Sequence, residues 1–130
     1  DNKGATITII KNEYNYVFGG YTSLSWSSSF AFCKDKTSFL FSLKPNINIY
    51  PIKNKNNYAI ECNENFLITF GGNNTFNGDL YICNDCNITC NSGCEPNAFL
   101  DTKQVYQYCG GYDRYQMSFI IKNIETFWVN

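Results

Sequence analysis

The sequence predicts a mainly β fold: a two-sheet antiparallel β-sandwich with a few short peripheral helices. Three observations predict it. Short runs of β-branched and aromatic residues recur at close spacing along the chain. Gly, Pro and Asn clusters punctuate them, which is turn chemistry between strands. No window carries a convincing helical period of apolar residues. Aromatics make up 18% of the chain, and flat rings pack well on a pleated surface.

The elements follow in order. Ala5-Thr6-Ile7-Thr8-Ile9-Ile10 is a strand bounded by Gly4 and Asn12. Asn12-Glu13-Tyr14-Asn15 is a hairpin turn and Tyr16-Val17-Phe18 the returning strand, which Gly19-Gly20 breaks. Residues 23–29 are small and polar except for Leu24 and Trp26, so they form a loop pinned by its Trp. Phe39-Leu40-Phe41-Ser42-Leu43 is a strand stopped near Pro45, since proline cannot donate to a ladder. Ile47-Asn48-Ile49-Tyr50 alternates and ends at Pro51. Tyr58-Ala59-Ile60-Glu61-Cys62, Phe66-Leu67-Ile68-Thr69-Phe70 and Leu80-Tyr81-Ile82-Cys83 are further strands. Residues 84–96 turn to Asn, Asp, Ser, Gly and Cys, the composition of a long loop. Residues 104–108 suit a strand or a helix. Ser118-Phe119-Ile120-Ile121 and Glu125-Thr126-Phe127-Trp128-Val129 close the chain. Neither an internal repeat nor a domain boundary is visible, and 130 residues suit one domain. A chain of this size buries roughly two thirds of its unfolded surface and needs no cross-links for a core.

Composition excludes several function classes. There is no His, which removes Ser-His-Asp and Cys-His nucleophile systems and His-ligated metals. Net charge is −1 with 16% charged residues and no basic cluster, which argues against nucleic acid as a partner. The longest apolar stretches, such as residues 66–70, fit a strand and fall far short of a membrane span. No signal-peptide core opens the chain.

Val17-Phe18-Gly19-Gly20-Tyr21-Thr22, followed by Trp26-Ser27, resembles the TLDc family's strand into Phe-Gly-Gly-Phe/Tyr-Thr and its Trp-Ser. Further matches come in order. Ser38-Phe39-Leu40-Phe41-Ser42-Leu43 resembles its Ser-Phe-Leu-Phe-Ser/Thr-Leu strand, and Phe70-Gly71-Gly72 its glycine turn. Gly78-Asp79-Leu80-Tyr81-Ile82 resembles its Gly-x-Leu-x-Leu/Ile strand, and Ala98-Phe99-Leu100 stands where the family has Thr-Phe. Phe119 through Glu125-Thr126-Phe127-Trp128 resembles the closing strand. The resemblance spans residues 1–130 as a single domain. The chain departs from the family in starting at the first strand without the usual upstream helical segment. It departs again in an extra residue before Trp128 and in the Cys-rich loop. The resemblance implies a β-sandwich that binds a protein partner in the cytoplasm and is linked to oxidative-stress resistance, with no catalytic residues and no cofactor. Several family members bind the peripheral part of the vacuolar proton-pumping ATPase, which makes that assembly the expected partner.

Individual residues carry their own expectations. Gly19-Gly20 and Gly71-Gly72 lack a following Lys or helix start, so they read as positive-φ turns or bulges and not as phosphate loops. Trp26 and Trp128 are expected to pack, their indole N–H bonded to backbone carbonyls, rather than to anchor a partner. Glu125 ends an apolar strand and is expected to be buried and bonded to loop N–H groups in a structural role. A catalytic carboxylate would need a second one beside it, and none is apparent.

The 7 cysteines are Cys33, Cys62, Cys83, Cys86, Cys90, Cys94 and Cys109, an odd number that leaves at least one unpaired in a monomer. Four are spaced Cys83-x2-Cys86-x3-Cys90-x3-Cys94. Thiolates on so pliable a loop could wrap a structural zinc, although four ligands within twelve residues is crowded. Disulfides would fit an exported protein, as would the sequons at Asn73 and Asn87. Reduced thiols in a cytosolic domain are the third state, and the expected one. Two functional alternatives therefore stand beside the partner-binding domain. One is a thiol-dependent antioxidant enzyme, for which the only Arg, Arg114, is remote from the Cys loop. The other is an exported, disulfide-linked binding module.

Overall fold

The computed structural model describes residues 4–27, 31–53, 58–72, 78–88, 92–110 and 117–129. Its architecture is two antiparallel sheets and, among the described residues, one short helix. The first sheet runs β11-β1-β2-β4-β5. Strand β1 (Thr6–Asn12) alternates buried Thr and Ile positions with half-exposed ones, as the period-two spacing of its residues demands. Asn12 closes the hairpin to β2 (Val17–Thr22). Its side-chain oxygen accepts the N–H groups of Tyr14 and Tyr16, and Asn15 takes a φ of 63°. Strands β4 (Phe39–Lys44) and β5 (Asn48–Pro51) follow on one side, and β11 (Ile121–Trp128) pairs with β1 on the other.

The second sheet runs β10-β9-β8-β7-β6-β3. It is built from β3 (Ala31–Cys33), β6 (Ile60–Cys62), β7 (Phe66–Phe70), β8 (Leu80–Cys83), β9 (Ser92–Cys94) and β10 (Met117–Phe119). Phe119 ends β10 and Ile121 opens β11, so the chain passes from one sheet to the other at Ile120. Between the sheets lie Ile10, Phe18 and Leu40 from the first, and Ile60, Phe70, Leu80, Ile82 and Phe119 from the second, all fully buried. Phe18 meets Phe119 edge-on at 5.5 Å between ring centroids, a favoured geometry for an aromatic pair.

Helix α1 (Thr102–Cys109) touches strands of both sheets. A reciprocal cap starts it: Gln104 donates its N–H to Asp101 Oδ1 (2.8 Å), and Asp101 donates its N–H to Gln104 Oε1 (3.0 Å). Val105, Tyr108 and Cys109 turn inward, the i, i+3, i+4 set of one helix face. Tyr108 packs on Phe18 (4.8 Å) and Tyr50 (5.7 Å) and donates its hydroxyl to Gly19 O at 2.6 Å.

The sandwich agrees with the expectation from sequence, while several local assignments do not. Residues 104–108 are helical: the cap at Asp101 and three inward side chains supply what a long apolar period did not. The loop expected over residues 84–96 contains strand β9, whose Gly93 and Cys94 pair with Tyr81 and Leu80. Strand β3 was not foreseen, because three residues are too few for a pattern. Glycines 19 and 20 do not break a strand; they lie within β2, paired on both sides.

Candidate interaction face

Register places two rows of side chains on the outer face of the first sheet. One row is Phe127, Ile7, Tyr21, Phe39 and Pro51; the next is Glu125, Ile9, Gly19, Phe41 and Ile49. Leu43 and Ile47 extend the face by the same alternation. A shallow depression of about 300 Å³ opens between Ile7, Ile9, Phe41, Leu43, Ile47 and Ile49. Tyr21 stacks on Phe39 at 5.2 Å, and Phe39 leans on Phe41 at 6.4 Å. Ile47 is 83% exposed, Ile49 62% and Phe127 48%. Charge comes at the rim, from Glu125 and from the exposed Lys11 and Lys44, which share a row across Val17. A contiguous apolar surface rimmed by polar groups is the usual mark of a protein-binding site. The strands are legible in the sequence, but not which of their apolar residues face outward. The available signal was that both alternating sets in residues 6–10 and 39–43 lack charge, so neither face of these strands is polar.

The glycines serve this face in ways that sequence did not distinguish. A Cβ on Gly19 would stand 1.8 Å from the Thr8 carbonyl oxygen and 2.9 Å from the Phe41 ring, so β1 and β2 approach too closely for any side chain there. A Cβ on Gly20 would meet the Phe70 ring at 2.7 Å, which means the opposite sheet packs directly on the β2 backbone. Neither has a positive φ, which corrects the expectation of a turn. Gly71 and Gly72 do, at 78° and 103°, and a Cβ on Gly71 would stand 2.0 Å from Asp79 Oδ1.

Asp79 is the polar centre that sequence reading passed over. It is fully buried and accepts backbone N–H bonds from Asn97, Ala98, Phe99 and Leu100 at 2.7–3.0 Å. Burial pushes its carboxyl up to about 6, and the four donors oppose that rise. Asp35 plays a similar part at the end of β2. It accepts the hydroxyls of Thr22 and Thr37 and the N–H groups of Ser23 and Thr37. Burial would raise the Asp35 carboxyl, but these donors outweigh it and hold it below the usual carboxylate value.

Trp26 packs edge-on against Phe70 at 5.5 Å, and its indole N–H bonds to Thr6 Oγ1 (3.0 Å) in place of the expected carbonyl. Glu125 is exposed on β11 opposite Ile9, not buried. Trp128 is 65% exposed and does not pack into the core. Glu125 shares the outer face with Ile9, away from the second sheet, and Trp128 ends an edge strand with no neighbouring strand beyond it.

Of the proposed zinc ligands, Cys90 lies outside the described residues. Cys83 contacts Ser92 Oγ at 3.3 Å, and the fully buried Cys94 hydrogen-bonds Cys109. Among the described residues no three His, Cys, Asp or Glu side chains gather as a metal would require. Asn73 and Arg114 also lie outside the described residues, while Asn87 is exposed in the turn after β8. No helix among the described residues is long and apolar enough to cross a membrane.

Comparison with known proteins gives the sandwich a family. Three curated relatives share half of the chain. MTOR-associated protein MEAK7 of Gallus gallus is 34% identical over 62 residues, 48% of this chain and 13% of the relative. MTOR-associated protein MEAK7 of Danio rerio is 30% identical over 63 residues, 48% of this chain and 14% of the relative. The Xenopus laevis protein of the same name is 32% identical over 62 residues, again 48% and 14%. The matched regions thus cover about a seventh of each relative's length. The family model described as TLDc domain matches residues 1–130, the whole length over which the two sheets, the Gly-Gly strand and the Asp79 junction are built, and the chain belongs to that family.

Proposed function

We propose that this TLDc domain is a non-catalytic protein-interaction module of the cytoplasm, linked to oxidative-stress resistance, which docks on the vacuolar proton-pumping ATPase. The observation that carries the reading is the apolar outer face of the first sheet, where Ile47, Ile49 and Phe127 are exposed around a depression floored by Ile9 and Phe41. Burial of such a face against a partner is favourable at roughly 25 cal/mol per Å² of apolar surface. Relatives named MTOR-associated support a role in contacts between proteins. The buried carboxylate of Asp79 is occupied by four backbone donors, which suits a structural part rather than proton transfer.

The test is direct binding. The isolated peripheral, ATP-hydrolysing sector of the vacuolar ATPase is immobilised, and the native chain and Ile49→Asp are passed over it. Saturable binding by the native chain, weakened at least about tenfold in Ile49→Asp, is the expected result, since tenfold corresponds to about 1.4 kcal/mol at the interface. No binding by the native chain removes the ATPase as the partner. Equal binding by both proteins removes this face as the docking surface.

A further inference from the structure

The described cysteines fall into neighbouring pairs, and one pair differs from the others in its access to solvent. Strand β3 is the edge of the second sheet and pairs only with β6. Ala31 stands opposite Cys62 and Cys33 opposite Ile60, so Cys33 and Cys62 lie on the same face as diagonal neighbours. Their thiols hydrogen-bond to one another, and both are reduced. Cys33 is half-buried. Cys62 is 3% exposed, but it forms part of the wall of an open cleft of about 240 Å³ shared with Trp26, Glu61 and Glu64. Cys94 and Cys109, by contrast, are both fully buried, and Cys83 is held against Ser92.

We propose that Cys33 and Cys62 are a reversible oxidation site, which a small hydroperoxide converts to a cross-strand disulfide. Cys33, the more exposed sulfur, loses its proton and attacks the hydroperoxide's terminal oxygen. The O–O bond breaks, and the departing oxygen takes up the proton as an alcohol, or as water from hydrogen peroxide. Cys33 becomes a sulfenic acid. The Cys62 sulfur then attacks the Cys33 sulfur, the S–O bond breaks, and water leaves with the Cys62 proton. Two thiols give up two electrons, and one hydroperoxide is reduced.

Geometry gives this bond a structural consequence. Diagonal neighbours stand about 7–8 Å apart, and a disulfide spans at most about 6.8 Å between Cα atoms. Closure therefore draws β3 along β6 by about 1 Å, which an edge strand with one partner can accommodate. The Cys33 carbonyl accepts the Ala59 N–H at 2.8 Å, and Asp35 follows two residues on, so the shift reaches the junction with Thr22 and Ser23. Burial, and then Cys62, hold the Cys33 thiol above its ordinary value, so the resting Cys33 is a thiol and suits slow, stoichiometric oxidation rather than turnover.

The experiment is disulfide mapping of the full chain after hydrogen peroxide treatment, with alkylation under denaturing conditions and mass spectrometry of the peptides. A Cys33–Cys62 link is expected, with two of the 7 thiols lost and both recovered with dithiothreitol. Cys33→Ser and Cys62→Ser should each abolish that link, with circular dichroism reporting whether each variant is folded. If either variant fails to fold, the map of the native chain decides alone. A Cys83–Cys86 or Cys94–Cys109 link forming first would overturn the proposal. So would Cys33 passing to sulfinic acid while Cys62 remains a thiol, or no oxidation short of unfolding.

Discussion

Gly19 and Gly20 are adjacent and small for different reasons, and the difference predicts different costs. The obstacle at Gly19 is a backbone carbonyl on the neighbouring strand, which cannot move without shifting β1. At Gly20 the obstacles are the Phe70 ring and a Leu40 methyl, which can rotate away. Gly19→Ala should therefore destabilise by about 3 kcal/mol or more, and Gly20→Ala by about 1–3 kcal/mol. Urea unfolding midpoints of the two variants check the order. Asp79→Asn keeps the volume but turns an amide donor towards backbone donors, and should cost about 3 kcal/mol. Its pH dependence has a definite sign. The folded carboxyl titrates at about 6 and the unfolded one at 3.8. Between those values the folded chain keeps a proton that the unfolded chain has released, so this group's contribution falls as pH rises from 3.8 to about 6. Asp35 has the opposite sign: its lowered carboxyl stabilises the fold above 3.8, and that stabilisation is lost as pH falls through the folded value. Denaturation at stepped pH should show the native chain losing its advantage over Asp79→Asn across the first window. Asp35→Asn should remove part of the acid-induced loss.

Elements are decided by a few contacts at their ends as much as by pattern. Helix α1 has eight residues, too short to persist on its own, and depends on its cap and on the burial of Tyr108. Asp101→Ala removes the acceptor for the Gln104 N–H and should cost about 1 kcal/mol. Amide exchange would locate the loss, with faster exchange confined to residues 104–109. Strand β9 depends on neighbours in the same way: Ser92 Oγ accepts the Cys83 N–H at 3.0 Å, and Gly93 and Cys94 complete the ladder. Strand β11 shows the converse. Its eight residues have strong β character, yet most are exposed because β1 is its one neighbour.

In the whole molecule, the two faces of the first sheet divide the work. The inner face meets the second sheet and carries stability, and the outer face is free of that duty. Substitutions at Ile49 and Phe127 should accordingly leave the thermal midpoint almost unchanged, within about 0.5 kcal/mol of stability. The double variant Ile49→Asp with Phe127→Asp should still lose partner binding and any concentration-dependent association. Sedimentation velocity and calorimetry on the same sample separate these effects, and a large drop in the midpoint would show the outer face to be part of the fold's own support.

The sequence by itself determined the class of fold and most of its strands, because period-two alternation and glycine and proline punctuation are local properties of the chain. It also determined the family, since the motifs from Val17-Phe18-Gly19-Gly20 to Phe127-Trp128 lie in order along one strand of text. Tertiary structure alone decided which apolar row faces inward: Ile7 and Ile9 are chemically the same as Ile10, and only the position of the second sheet separates them. It also decided that Gly19 and Gly20 stay in a strand, that Glu125 is exposed, and that Asp79 gathers four N–H groups from residues about twenty positions away. Cys33 and Cys62 meet for the same reason, across 29 residues of sequence. Long-range register is set by the energy of the packed whole, and no local stretch of residues encodes it.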